Sequence, residues 1–358
     1  MSIKYNGGYL PTVGADGSTL VANSSASTGV SWAGQAFSQP VLNSAFQIWQ
    51  RGTNISYSNE TKYAADRWQA SISQSAASIS QRATGDTTNL PFIQYCSRVQ
   101  RTSGNSQTSD IQFAQSFESI NSIPYAGKTV TLSFYARAGS DYSASSKGLQ
   151  YRLVTGTGTD QNVLTGFTGQ ANAILQTPAL TATWQRFTAT ATLGASISQM
   201  AINFVFTPTS TASTNDYYEV TGVQIDLGSV ALPFRTNSGT LQGELQACQR
   251  YYYRSSTGVA YQQYGAGIGK STTVAGIQVK LPITMRTVPS STIDAANLSL
   301  YDTSGTVVVS SVAQSGLNST PDVYYLEATT AGGLTQFRPY ILTNSNSTSA
   351  YIGFSAEL

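Results

Sequence analysis

"TVTLSFYARA", residues 129–138, decides the fold class. Val130, Leu132, Phe134 and Ala136 fall on one side of a period of two; Thr131, Ser133, Tyr135 and Arg137 fall on the other. That alternation is a strand with one face toward a core. The same period recurs outward along the chain. In "WQRFTATATL" (184–193), Phe187, Ala189, Ala191 and Leu193 form the inward face, and Trp184, Arg186, Thr188 and Thr190 face out. Ile202, Phe204 and Phe206 share a side in "AINFVFTP", as do Val223, Ile225 and Leu227 in "YEVTGVQIDLG". Gly, Asn, Ser and Pro separate these runs. The pattern predicts antiparallel sheets, each packed on one face, in a β-sandwich.

Composition agrees. Charged residues are 10% of the 358-residue chain, while 11% are aromatic, with 21 tyrosines. A disordered chain would lack those aromatics. The length suggests two or three domains. A surface of Ser, Thr, Asn and Gln has less rotamer entropy to lose on contact than one of long charged side chains. The net charge of +2 gives no field for holding nucleic acid. No apolar run reaches about 18 residues, so no membrane insertion is expected. The start "MSIKYNGGYLPTVG" has no apolar core of a secretion signal. Cys96 and Cys248 lie in different predicted elements and read as buried free thiols. Histidine is absent, which removes Ser-His-Asp and Cys-His catalysis and His-ligated metals.

Four regions follow. Residues 1–40 are rich in Gly, Ser, Ala and Thr with isolated Tyr9, Leu10, Val21 and Trp32, and read as an extended arm whose few apolar groups dock on a partner. Residues 41–238 carry the sandwich. Residues 239–254, "GTLQGELQACQRYYYR", place Leu241, Leu245 and Cys248 at i, i+4 and i+7, followed by Tyr252, and predict a connecting helix. Residues 255–358 alternate again, as in "IQVKLPITM", and predict a second, smaller β domain. The chain is therefore expected to be all-β.

Seven segments in series carry a resemblance: "NSAFQIWQRGT" with "YAADRW", "GKTVTLSFYARA", "ATWQRFTATATL", "VTGVQIDLGSVALPF", "ELQACQRYYYR" and "LPITMRTVPS". Together, over roughly residues 41–290, they resemble virion appendage proteins of tailed bacteriophages and prophages, which include tail fibre and receptor-binding chains. The resemblance implies a jelly-roll sandwich similar to carbohydrate-binding modules, then the helix and the C-terminal β domain. It also implies a homotrimer in the virion, with residues 1–40 as the virion-anchoring segment. Capsid, baseplate and fibre tip stay open as locations, and no catalytic residue is carried over.

Tyr135, Arg137, Trp184 and Arg186 lie on the outward strand faces and are glycan-binding candidates, because sugar rings stack on aromatic faces while Arg grips hydroxyls. The competing reading is a subunit or domain contact, which favours the same residue types. Trp68, with Trp49, Arg51, Asp66 and Arg67, is either the base of the sandwich or a sugar platform. Tyr251, Tyr252, Tyr253 and Arg254 cannot all face one core and read as a subunit interface. Asp226 alone is weak evidence for calcium, and no metal or other cofactor is expected. Asp66, Asp110, Glu118, Asp141, Asp160, Asp216 and Glu219 form no paired-carboxylate motif. The expected role is attachment to host-surface glycan. An architectural capsid or baseplate protein is the rival, and a polysaccharide-trimming enzyme comes third.

Overall fold

The computed structural model describes residues 4–5, 8–9, 19–22, 29–33, 39–255, 258–314 and 319–358. The chain divides into two compact units, residues 1–244 with Leu358, and residues 245–357. Among the described residues it is all-β apart from short helical pieces, the longest of nine residues. In the first forty residues, expected as an extended arm, Lys4–Tyr5 pairs with Gly8–Tyr9 and Thr19–Ala22 with Val30–Ala33. Tyr9, Val21 and Trp32 lie on these strands; Leu10 lies outside the described residues.

Among the described residues, the large sheet of the first unit holds ten strands: β1 (Asn54–Tyr63), β2 (Gln69–Ala83), β3 (Tyr95–Arg101), β4 (Ile111–Ser116), β5 (Thr129–Ala138), β6 (Gln150–Gly156), β7 (Ala171–Gln176), β8 (Gln185–Thr192), β9 (Gln199–Phe206) and β10 (Tyr217–Leu227). They run in the order β7-β6-β9-β4-β2-β3-β10-β5-β8, with β1 paired to β2. The path folds over at β2. Gln69–Ile72 pair with β4, whereas Ala77–Ala83 pair with β3. The bend has a local cause. Asn59 and Gln74 both take left-handed backbone angles, the β1–β2 register shifts between Ser58 and Glu60, and Asn59 Oδ1 accepts from Gln74 N at 2.9 Å. Strands that change sheet do so at such irregularities.

The two halves enclose an aromatic core. Phe134 of β5 meets Phe204 of β9 edge-on at 4.9 Å and Tyr151 of β6 at 4.8 Å. The inward residues expected on β5 are all buried, as is Phe204. One expectation needs correction. The outer face is not open at β9, every residue of which is buried. Val163 and Phe167, from the loop between β6 and β7, pack with Val154 and Ala201 and cover that surface. Period-two reasoning sees the strand but not the loop laid over it.

Helix α1 spans Leu241–Gln249 and ends five residues before the expected limit. Its buried positions are Glu244 and Cys248, one turn apart, while Leu241 is exposed. Glu244 accepts from Asn43 N at 2.6 Å and Ser238 Oγ at 3.1 Å, which explains why a carboxylate holds the face expected for leucine. Neither cysteine forms a disulfide, and both are buried.

The second unit contains β11 (Tyr252–Ser255), β12 (Gln263–Gly269), β13 (Val274–Lys280), β14 (Ser290–Ile293), β15 (Leu298–Asp302), β16 (Gly305–Gln314), β17 (Val323–Thr330), β18 (Pro339–Asn344) and β19 (Ile352–Ser355). Six of these close a barrel in the order β12-β13-β17-β16-β15-β18, and β11-β19-β14 form a three-stranded sheet. Ile277, Val279, Leu300, Tyr324, Leu326 and Leu342 lie in its core. Gly267 permits tight closure: a Cβ there would overlap the carbonyl oxygen of Gly276 on β13. Glycine in a strand commonly marks such a close backbone approach.

Candidate functional site

The outward set on the sandwich comes together, but in a closed form. Tyr135 and Arg186 are cross-strand partners, and the Arg186 guanidinium lies 5.7 Å from the Tyr135 ring centroid while donating to the Leu232 carbonyl at 2.5 Å. Arg137 sits 4.6 Å over the Trp184 ring and bonds Glu219 at 2.5 Å. Glu219 also takes Arg98, so Arg98, Glu219 and Arg137 form a row across β3, β10 and β5. Trp184 is only 7% exposed, packs with Leu90 and Ile93, and donates Nε1–H to the Thr84 carbonyl at 3.1 Å. The loop through residues 84–94 therefore occupies the face on which a sugar ring would stack. Trp184 is corrected from glycan platform to the core of this loop contact. Arg137 is held by Glu219, and Arg186 is held by the Leu232 carbonyl while remaining exposed.

Trp68 is also corrected. It is 0% exposed, stacked on Phe113 at 5.1 Å, and its Nε1 donates to the Leu42 carbonyl. Trp49 Nε1 donates to the Phe46 carbonyl at 2.7 Å, and Arg67 donates to the Ser116 carbonyl at 2.7 Å. Asp66 accepts from Gln50 and lies 3.5 Å from Arg51. This cluster is the base of the sandwich. The "YYYR" stretch ends no helix: Tyr252, Tyr253 and Arg254 lie on β11, paired with β19. Tyr251 and Tyr252 are buried, Tyr253 stacks on Phe354, and Arg254 lies 3.7 Å over the Tyr351 ring. Two of the four expected interface side chains are thus already covered.

Asp216 and Asp226 are buried carboxylates paired with arginine. Asp216 bonds Arg101 at 2.7 Å and takes Ser143 N and Oγ. Asp226 bonds Arg235 at 2.7 Å and accepts from Gln224 and Leu232 N. Each is held by an arginine partner. Among the described residues, no three His, Cys, Asp or Glu gather to hold a metal. Burial raises the Cys96 thiol far above its ordinary value, which keeps it protonated and unreactive. No helix of the described residues is long and apolar enough to cross a membrane.

An open cleft lies on the barrel. Tyr261, Gln263, Tyr301, Thr306 and Thr343 line a cleft of about 270 Å³. Its residues come from four neighbouring strands and the turn before β12. Leu300 and Leu342 point into the barrel, so Tyr301 and Thr343 stand on its outer face. Tyr301 pairs with Thr306, and Thr343 pairs with Gln263 and Ser299. Tyr301 is 44% exposed and Tyr261 60% exposed. Tyr261 holds φ at +60°, a left-handed angle that disfavours a bulky side chain and costs on the order of 1 kcal/mol. Asn344 fixes the turn: its amide donates to the Val259 carbonyl at 2.6 Å and its backbone N donates to Gln262 O at 3.1 Å.

Two aromatic rings beside hydroxyl and amide groups suit a ligand with both apolar and hydrogen-bonding faces. Next to Tyr301, Asp302 accepts from Ser304 Oγ at 2.7 Å, Ser304 N and Gly305 N, and is bridged to Arg338 at 2.9 Å. Those bonds, the Ser304 hydroxyl foremost, hold its carboxyl below the ordinary range. Sequence reasoning missed this cleft. Tyr301 was legible as the outward member of "LSLY", but Tyr261 lies in a turn with no periodicity to mark it.

No family model matches the chain, and no curated protein matches it. Parts of solved structures resemble it. A CBM4 structure is 23% identical over 37% of this chain and 71% of that one, at a TM-score of 0.27. The enzymatically active domain of tailspike protein 4 of bacteriophage CBA120 is 12% identical over 53% of this chain and 22% of that one, at 0.33. TmCBM61, in complex with β-1,4-galactotriose, is 11% identical over 45% of this chain and 88% of that one, at 0.28. Likenesses this partial add nothing to the site, which rests on its own residues. By its own strands, the chain is an all-β protein: a bent ten-stranded β-sandwich unit and a second unit built on a six-stranded barrel.

Proposed function

We propose that this chain is a structural protein of a phage virion appendage that attaches to host-surface glycan through the barrel cleft. The observation that carries the attachment reading is the pair of exposed tyrosines, Tyr261 and Tyr301, flanking Gln263 and Thr306. The virion assignment follows the serial sequence resemblance. A homotrimer would present three such clefts, and weak single-site contacts would sum to useful avidity. The lining residues include no carboxylate, so the proposed chemistry is binding without hydrolysis.

The test is a glycan-array and whole-cell binding assay with the full chain and its Tyr301→Ala variant. Binding that the variant loses, while its melting temperature holds, supports the reading. Binding that Tyr301→Ala leaves intact removes the cleft from the account. A second reading, an architectural virion protein, is favoured by Phe92 and Ile120, which expose large apolar side chains on the sandwich unit. Absence of any binding to cells or glycans would move the weight there.

A further inference from the structure

We infer that the barrel cleft selects neutral sugars and rejects acidic ones; this rests on the glycan reading of that cleft. The five lining side chains are two tyrosines, one glutamine and two threonines, and none carries a charge at neutral pH. An acidic sugar entering the cleft would give up hydration of its carboxylate and find no cation among the five lining side chains. The cation nearest in sequence to any lining residue is Arg338, five positions before Thr343. Its guanidinium is committed to Asp302, Nε to Oδ2 at 2.9 Å, with Nη2 within 3.4 Å of Thr303 Oγ1. Lys270, on the turn after β12, is committed to Glu327.

A neutral pyranose fits the same inventory. Its axial C–H face covers a tyrosine ring, and its equatorial hydroxyls reach the Gln263 amide and the Thr306 hydroxyl. Both groups donate and accept, so they suit hydroxyls, which do the same. Selection then comes from uncompensated desolvation of the wrong ligand rather than from a tight grip on the right one.

The experiment uses the full chain. Neutral oligosaccharides and uronic- or sialic-acid oligosaccharides of matched length are compared on an array, and the hits are titrated at low and high salt. The variants are Tyr301→Ala, Tyr301→Phe and Gln263→Ala. The expected result is retention of neutral glycans only, with affinity unchanged within about twofold across the salt range, since no ion pair is screened. Tyr301→Phe, which keeps the ring, should retain most binding even if Tyr301→Ala folds poorly. Preference for acidic glycans, weakened by salt and lost in Gln263→Ala, would overturn the inference and leave the glycan site standing. No glycan of either class bound, or binding indifferent to all three variants, would overturn the glycan reading itself and the inference with it.

Discussion

Asn344 grips the chain on both sides of Tyr261, bonding the carbonyls of Val259 and Gln262. Asn344 is itself buried and spends its side chain on this turn and on the Ser347 carbonyl. The arrangement offsets the left-handed backbone of Tyr261. Asn344→Ala should remove two hydrogen bonds and cost about 1–3 kcal/mol, concentrated in the turn. Amide exchange at residues 258–262 should rise and glycan affinity should fall with Tyr261 still present. Unchanged exchange in that turn would disprove the positioning role.

Trp184→Ala should damage the fold and spare the cleft. Removing a nearly buried Trp that packs on Leu90 and Ile93 is expected to cost about 3 kcal/mol or more. Thermal melts would show the loss. Glycan binding per folded molecule should stay at the level of the parent chain. A binding defect without a drop in stability would return this residue to the ligand site.

The Arg101–Asp216 pair is fully buried, so breaking it from one side should be severe. Asp216→Ala leaves the Arg101 charge uncompensated and is expected to cost about 3–5 kcal/mol. Replacing both residues by apolar groups of similar volume should recover much of that. Denaturant midpoints of the single and double variants measure the difference, and equal losses would contradict the argument.

Gly267→Ala tests barrel closure. The added methyl has no room against the Gly276 carbonyl, so β12 must shift away from β13. A cost of about 3 kcal/mol is expected, at the upper end for overpacking. Loss of amide protection in β12 and β13 should accompany it. A variant as stable as the parent would mean the strands are not held this closely.

Asp302 predicts an acid-side effect. Its folded carboxyl titrates below the ordinary value of 3.8 because Ser304 and Gly305 donate to the ionised form. A lowered folded value means the contribution is fully present above the unfolded value and is lost as pH falls through the folded one. Acidification below 3.8 should therefore loosen the 302–305 turn. The amide signals of Tyr301 and Thr306 should follow that titration in the parent chain and not in Asp302→Asn. Identical titration curves in both would assign the effect to another group.

The sequence by itself determined four of the sandwich strands, β5, β8, β9 and β10, because the two-residue period is a local property that a core-facing strand obeys. It also determined that the opening Trp and Arg cluster suits a sandwich base. It placed the helix start within two residues, but not its end. "YYYR" becomes a strand because β19, about a hundred residues later, offers it backbone partners. It identified Tyr135 and Trp184 as outward, which holds relative to the main core, but not as covered. That was decided by Leu90, Ile93 and Phe234, which arrive from loops distant in the chain. Tyr261 and Tyr301 lie forty residues apart, in segments whose local pattern carries no mark of a site. Only closure of the barrel sets them at one cleft. Periodicity is written into neighbouring residues; the cover over a face and the walls of a cleft are made by segments that meet only when the chain folds.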